Sequence, residues 1–185
     1  MRIDILIKTC FALPFVGLYL VLLPSRIKNI IKADFERWCQ WQGHTPSLIY
    51  FSELFARLKE FRSVVYKRMG WRKIFVYWLF QAQDNCTLAC EDIGPGIIIQ
   101  HGYSTVVVAK HIGKNFHVNQ CVNIVWNQDQ RCTIGDNVTV CAGAIIVGGV
   151  KIGNNVVIGA GAVVVKDIPD NCTVVGNPMR IIQKL

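Results

Sequence analysis

Two periodicities divide the chain. In residues 26–42 apolar residues return every three or four positions, the spacing of one helix face. Ile27, Ile30, Ile31, Phe35 and Trp38 share that face, while Lys28, Lys32, Asp34 and Glu36 lie elsewhere. Gly43 follows the last aromatic pair and supplies a stop. Thr45-Pro46 then opens a second helix, with Pro near its first helical position. Its apolar stripe is Leu48, Phe51, Leu54, Phe55, Leu58 and Phe61. Residues 62–80 are aromatic and β-branched, and their pattern leaves helix and strand both open. Ahead of these, Thr9 to Ser25 is a 17-residue run without charge, interrupted by Pro14. A spanning helix needs about 20 residues, so this run falls short. Two readings stand for it: a buried helix packing on its own unit, or a membrane-surface contact over residues 9–32 with basic groups facing lipid phosphate.

From about residue 87 the helical spacing stops and a period of six replaces it. Ile112, Val118 and Ile124 follow one another at six, as do Ile134, Val140, Ile146, Ile152, Ile158 and Val164. Upstream, Ile93 and Ile99 share the phase, and one extra residue shifts the register to Val106. Neither a 3.6-residue helix nor an ordinary hairpin sheet sustains this spacing. A coil of three short sides and three tight corners does, with one inward aliphatic residue per side and Gly, Asn or Asp at the corners. Stacked coils bury a continuous apolar column. Between Ile124 and Ile134 the step is ten, which makes VWNQDQRCT an insertion at a corner, where loops line binding faces. Pro169 cannot donate to a further rung, so the closing stretch from residue 170 onward reads as a cap. The predicted organisation is a helical region (1–80), a three-sided β-coil (81–170) and a cap (171–185), mainly β in class.

Charge sharpens the division. Residues 1–80 carry 13 Lys/Arg against 5 Asp/Glu, while residues 81–185 carry 7 against 7. The positive excess of the first region suits an anionic surface. Its aromatic residues follow helical spacing and form no base-stacking pattern, so nucleic acid is not the expected partner. The eight cysteines include no C-x-x-C pair and no zinc-finger spacing. They read as small buried apolar residues of a reducing compartment, and no metal is expected.

The six-residue ladder, the stretch IGAGAVVVKDIPDNCTVVGNPMRII (158–182) and the segment IGPGIIIQHG (93–102) resemble the hexapeptide-repeat acyltransferases. Within them the similarity is to serine acetyltransferase-like enzymes, a subgroup with relatives in surface-polysaccharide pathways. The resemblance covers residues 86–185 and only loosely the helices before them. It implies a left-handed parallel β-helix, a homotrimer, acetyl-CoA lying in a groove between neighbouring subunits, and a histidine that deprotonates the acceptor hydroxyl. That cofactor is cytosolic, so the first segment is not read as a secretory signal, and the expected location is cytoplasmic, at most peripheral to the inner face of the membrane.

A neutral hydroxyl is a poor nucleophile and needs a base in the transition state, for which histidine is suited. Of His44, His101, His111 and His117, the resemblance points to His101 in IIQHG, with Gly102 admitting a close backbone approach. His44 falls in a helix connection, and His111 and His117 read as surface or interface residues. By family position, Ala142, Gly143 and Ala160 stand near the cofactor and could face the developing oxyanion. Lys166 and Arg180 are candidates for the CoA phosphates. The acceptor side departs from the serine enzymes. The aspartate they carry fifteen residues before the histidine is Cys86 here. Their second histidine corresponds to Arg131, Asp129 is retained, and a glutamate is replaced around Ala109. Asp92 or Glu91 is a candidate for the missing carboxylate. These departures and the basic N-terminal region favour a sugar hydroxyl of a surface polysaccharide as acceptor. Serine, as in cysteine biosynthesis, is the alternative, and a non-catalytic scaffold is the third reading.

Overall fold

The computed structural model describes residues 3–128 and 130–183, and the chain divides into two compact units at Gln83/Asp84. The first unit is helical. Helices α1 (Ile3–Leu22), α2 (Ser25–Gln42), α3 (Leu48–Arg57) and α4 (Lys59–Met69) are followed by a 3₁₀ turn over Gly70–Lys73 and the single-turn α5 (Ile74–Tyr77). Residues 62–80, open from the sequence, are thus helical as far as Tyr77. Pro14 does not break α1, which runs through it. α2 stops at Gly43, which takes φ 73°. The next helix starts later than Thr45-Pro46 predicts. Ser47 is the cap, its hydroxyl accepting from Tyr50 N–H at 3.1 Å, and Pro46 precedes it.

Two departures in this unit share one physical cause, burial of charge against a partner. Asp34 lies only 1% exposed, off the polar face the sequence gave it. Arg68 of α4 holds it through Nε–Oδ2 at 2.8 Å and Nη2–Oδ1 at 3.2 Å. The stripe read as one helix from Leu48 to Phe61 is broken at Leu58, which takes φ −101° and ψ 113°. Buried Arg62 donates from Nη1 to the last-turn carbonyls of Phe55 and Ala56 at 2.5 and 2.9 Å, and from Nε to Gln81 O at 2.7 Å. A cation there satisfies orphan carbonyls and meets the negative end of α3. The aromatic core packs edge to face: Phe35 on Phe51 at 5.0 Å, Phe51 on Phe61 at 5.2 Å and Trp38 on Phe61 at 5.4 Å.

The second unit is the coil. Fifteen short strands form three sheets in which every third strand pairs: β1-β4-β7-β10-β13, β2-β5-β8-β11, and β3-β6-β9-β12-β14-β15. Among the strands that matter below, β1 is Cys86–Leu88, β2 Asp92–Ile93, β3 Ile98–Ile99, β5 Ala109–Ile112, β8 Cys132–Ile134, β14 Cys172–Val175 and β15 Arg180–Gln183. All pairings are parallel except β14 with β15. The result is a parallel solenoid of about five turns, matching the left-handed β-helix of hexapeptide repeats. From Ile112 to Val164 no ladder residue is more than 4% exposed. Burying each Ile or Val stabilises by roughly 1.5–3 kcal/mol.

Each side contributes a second inward residue two positions earlier, such as Phe116, Val122, Cys132, Val138, Ala144, Val156 and Ala162, all fully buried. One ladder position is corrected. Val107, not Val106, points inward, opposite Ile124, while Val106 stands opposite Asn123. The extra residue of that first coil is taken up by an irregularity between Ala109 and His111 where β5 pairs with β8.

One corner explains the tight winding. Asn115, Asn137, Asn155 and Asn171 all take φ of 56–58°, a conformation Asn tolerates better than other side-chain-bearing residues. Their amides form a ladder, each Nδ2 donating to the next Oδ1 at 2.8, 2.9 and 2.8 Å. Beside it, a Cβ on Gly113 would stand 2.6 Å from the backbone carbon of Gly135, so only glycine fits. Four of the eight cysteines, Cys39, Cys90, Cys132 and Cys172, are buried as expected, whereas Cys10 and Cys121 are exposed.

Candidate functional site

His101 stands just after β3, at the corner that leads to the β1-β4-β7-β10-β13 sheet. It is exposed, takes φ 60°, and its carbonyl accepts from Tyr103 N–H. The corner closes because Gly102 has no side chain: a Cβ there would lie 2.8 Å from Ile99 Cγ2 and 3.4 Å from Cys86 Sγ. Cys86, on β1 opposite Thr105, is thereby packed against the residue next to His101. This is where the missing aspartate of the resemblance would stand. Among the described residues no carboxylate and no hydrogen-bond partner reaches the His101 ring. Asp92, offered as a replacement, is engaged elsewhere, its Oδ2 2.6 Å from His111 Nδ1 on an exposed face. His117 is likewise occupied, with Nε2 3.1 Å from Gln100 Oε1. Among the described residues no group of three His, Cys, Asp or Glu could hold a metal ion.

The coil stacks successive corners over His101. Gln100 N–H donates to Val118 O, Asn119 N–H to Val140 O, Cys141 N–H to Ile158 O and Gly159 N–H to Val174 O, at 2.7–3.0 Å. His101, Gln120, Ala142 and Ala160 therefore share one edge, a rung apart. With rungs about 4.8 Å apart, His101 and Ala160 are separated by roughly 14 Å, the reach of an extended ligand. The edge opens away from His101. Gly143 and Gly161, at φ 70° and 67°, have open space where a side chain would be. Gly143 N–H is used within the coil, donating to Gln120 O at 3.1 Å. The N–H groups of Ala142 and Ala160 have no acceptor among the described residues and are the free donors of this edge. Arg180, exposed and paired with Val175, lies beyond the Gly159–Ala160 corner, because Val175 Cγ1 packs over Gly159.

Not every candidate belongs to this edge. Lys166 lies at another corner, where it lines a cavity of about 320 Å³ with Asn127, Gln130, Gly148 and Asp167. That corner also carries the insertion, closed as a small loop by Asn127 N–H to Gln130 O at 3.3 Å and the reciprocal bond at 2.9 Å, and exposed Arg131 follows it. Asp129 lies outside the described residues. So one chain brings together Cys86, His101, Ala142, Gly143, Ala160 and Arg180, and leaves Asp92, Arg131 and Lys166 on other parts of the coil.

Sequence reasoning passed over Asn119 and Gln120. Asn119 Oδ1 and Gln120 Oε1 are buried with no hydrogen-bond partner among the described residues. They occupy the rung next to His101, where later coils place Cys141-Ala142 and Gly159-Ala160. Two amides in place of small corner residues, one rung from the histidine, were the available signal. A buried acceptor oxygen left unpaired costs about 1–3 kcal/mol, so such groups are expected to meet a ligand donor.

The ladder, the glycine and asparagine corners and the stacked edge define a hexapeptide-repeat β-helix protein. Residues 131–166 match the family model described as bacterial transferase hexapeptide (six repeats). The serine acetyltransferase of Synechococcus elongatus is 41% identical over 97 residues, covering 50% of this chain and 40% of that protein. The structure of Neisseria gonorrhoeae serine acetyltransferase in complex with serine superposes with a TM-score of 0.67 at 26% identity, covering 89% of this chain and 73% of that one. A serine acetyltransferase complex with CoA shares the fold, with a TM-score of 0.66 at 20% identity over 90% of this chain and 74% of its own. Over these stretches the chain is similar to serine acetyltransferases. It spans about half the length, or less, of the curated relatives it matches.

Proposed function

We propose that this chain is an acetyl-CoA-dependent O-acetyltransferase with His101 as general base. The observation that carries the reading is the edge itself: an exposed histidine, then the amides Asn119 and Gln120 with buried unpaired oxygens, then two rungs of small residues at Ala142 and Ala160. His101 takes the proton of the acceptor hydroxyl as its oxygen attacks the thioester carbonyl. The tetrahedral oxyanion is stabilised by a backbone N–H group of this edge, which needs no reorganisation; Ala142 is the nearer to His101, while Ala160, roughly 14 Å from it, suits the far part of the cofactor. Collapse expels the CoA thiolate, which takes the proton from His101. Arg180 at the far end suits a CoA phosphate.

Serine is the acceptor the comparisons support best, since the relatives carry that activity in their names. A homotrimer would bring the corner bearing Arg131 and Lys166 of one subunit to the His101 edge of the next. Use of acetyl-CoA fits a cytoplasmic location. A second reading, a sugar hydroxyl of a surface polysaccharide, is favoured by one feature. Along the edge, residues 100–104, 119–122, 141–144 and 159–162 contain no Lys, Arg, Asp or Glu. A zwitterionic amino acid needs a carboxylate and a cation, whereas a polyol needs neutral hydrogen-bonding groups such as Gln100, Asn119 and Gln120.

The test is transfer from labelled acetyl-CoA to serine and to extracted glycan in parallel. His101→Asn, which tolerates the positive φ, lowers turnover about 100-fold or more on whichever acceptor is used. Unchanged turnover removes His101 from the mechanism, and transfer to neither acceptor overturns both readings.

A further inference from the structure

The most unusual surface of the first unit lies in the 3₁₀ turn and α5. Trp71, Ile74, Phe75 and Trp78 are 68%, 68%, 65% and 72% exposed. They stand on a fixed platform, not a loose loop. Met69 and Val76 anchor the segment in the core. Tyr66 Oη donates to Phe80 O at 2.6 Å, and Arg62 Nε holds Gln81 O at 2.7 Å just beyond it. Gly70 ends α4 at φ 59° and turns the chain outward.

Cations are set among these rings. The Arg72 guanidinium is 5.0 Å from the Trp71 ring centroid, and Lys73 Nζ is 5.9 Å from that of Tyr77. No acidic residue occurs from Phe61 to Gln83. Arg62 and Arg68 are used inside the fold, and Lys67 and Lys73 add positive charge beside the rings. Two copies meeting through this face would set positive charge against positive charge, with no acid in the segment to offset it. The complementary partner is anionic and apolar at once.

We infer that residues 70–78 dock the first unit on an anionic membrane surface, with the Trp, Phe and Ile side chains at headgroup level and Lys73 and the neighbouring Lys67 on lipid phosphates. Tryptophan and lysine or arginine together favour the membrane–water boundary. The contact is interfacial: among the described residues no helix is long and apolar enough to cross a membrane. The sequence reading put such a contact in residues 9–32. There Lys32 is paired with Glu36 at 3.8 Å, whereas residues 70–78 have no acid of their own. This inference is independent of the reaction at His101.

The experiment is co-sedimentation of the full chain with phosphatidylcholine vesicles, with and without phosphatidylglycerol, read together with tryptophan emission. Binding and a blue shift are expected only with the anionic vesicles. Lys67→Gln with Lys73→Gln lowers the partition coefficient about 25-fold, about fivefold per charge. Trp71→Ser with Trp78→Ser abolishes it, and the oligomeric state by light scattering stays as in the parent. Failure of the parent chain to bind anionic vesicles overturns the inference. So does indifference of binding to the two charge changes, or a fall in oligomeric state in the tryptophan variant, which would make this face a contact between copies.

Discussion

Asn137 allows the two contributions of the corner ladder to be separated. Its φ is 57°; it accepts from Asn115 Nδ2 at 2.8 Å and donates to Asn155 Oδ1 at 2.9 Å. Replacement by alanine puts an ordinary Cβ in the left-handed region, at about 1–2 kcal/mol. It also removes two side-chain hydrogen bonds. Both are solvent-exposed, so each is taken at the low end, about 0.5 kcal/mol. Asn137→Ala is therefore expected to destabilise by about 2–3 kcal/mol. Asn137→Gly loses the same two bonds but meets no steric penalty; its cost is about 0.5–1 kcal/mol of added freedom in the unfolded chain. Its expected loss is about 1.5–2 kcal/mol. The measurement is urea unfolding of parent, Gly and Ala chains at one protein concentration, since self-association would move midpoints by mass action. The predicted order of stability is parent, then glycine, then alanine, with a common m value. Alanine equal to or above glycine would refute the backbone argument. Two neutral substitutions would refute the ladder as well.

Three further outcomes follow from the same geometry. Arg68→Met leaves Asp34 buried without its bidentate Arg68 partner and should cost about 3–5 kcal/mol in chemical unfolding, whereas losing an exposed pair such as Lys32–Glu36 costs under about 1 kcal/mol. Burial pushes the thiols of Cys39 and Cys132 up from 9.0 to about 11 and about 12. The unfolded thiols then ionise first and bind fewer protons than the native ones, so stability is held below pH 9 and lost as pH rises towards 12; Cys132→Ala should make that alkaline slope shallower by one proton. Gln120→Leu removes a buried oxygen with no partner among the described residues, so stability should hold or rise while KM for the acceptor rises about tenfold, measured by initial rates; a loss of stability with KM unchanged would assign Gln120 a purely structural role.

The coil was legible because its inward residues are aliphatic at a fixed interval that no helix or hairpin reproduces. Its second inward column was harder to see, since Ala144, Ala162 and Cys132 differ in type and size although all are fully buried. Val106 and Val107 are chemically identical, and only the pairing across to Asn123 and Ile124 decides which faces inward. Asp34 was misplaced for a related reason: a helical wheel sees neighbours within the helix, and its partner Arg68 is 34 residues away. The site divides along the same line. His101 could be singled out because the resemblance over IIQHG marks it. Asn119 and Gln120 could not, because an amide at a corner looks like a turn residue until its oxygen is found buried and unpaired. Lys166 was grouped with Ala160 by nearness in sequence, yet in a three-sided coil six residues carry the chain round to the next corner. Nearness along a coil therefore means difference of face, and residues about 18–22 apart share an edge. Ala142 and Ala160 obey that rule with His101, and Arg131 and Lys166 do not. Any ligand that used both groups would therefore lie between two coils.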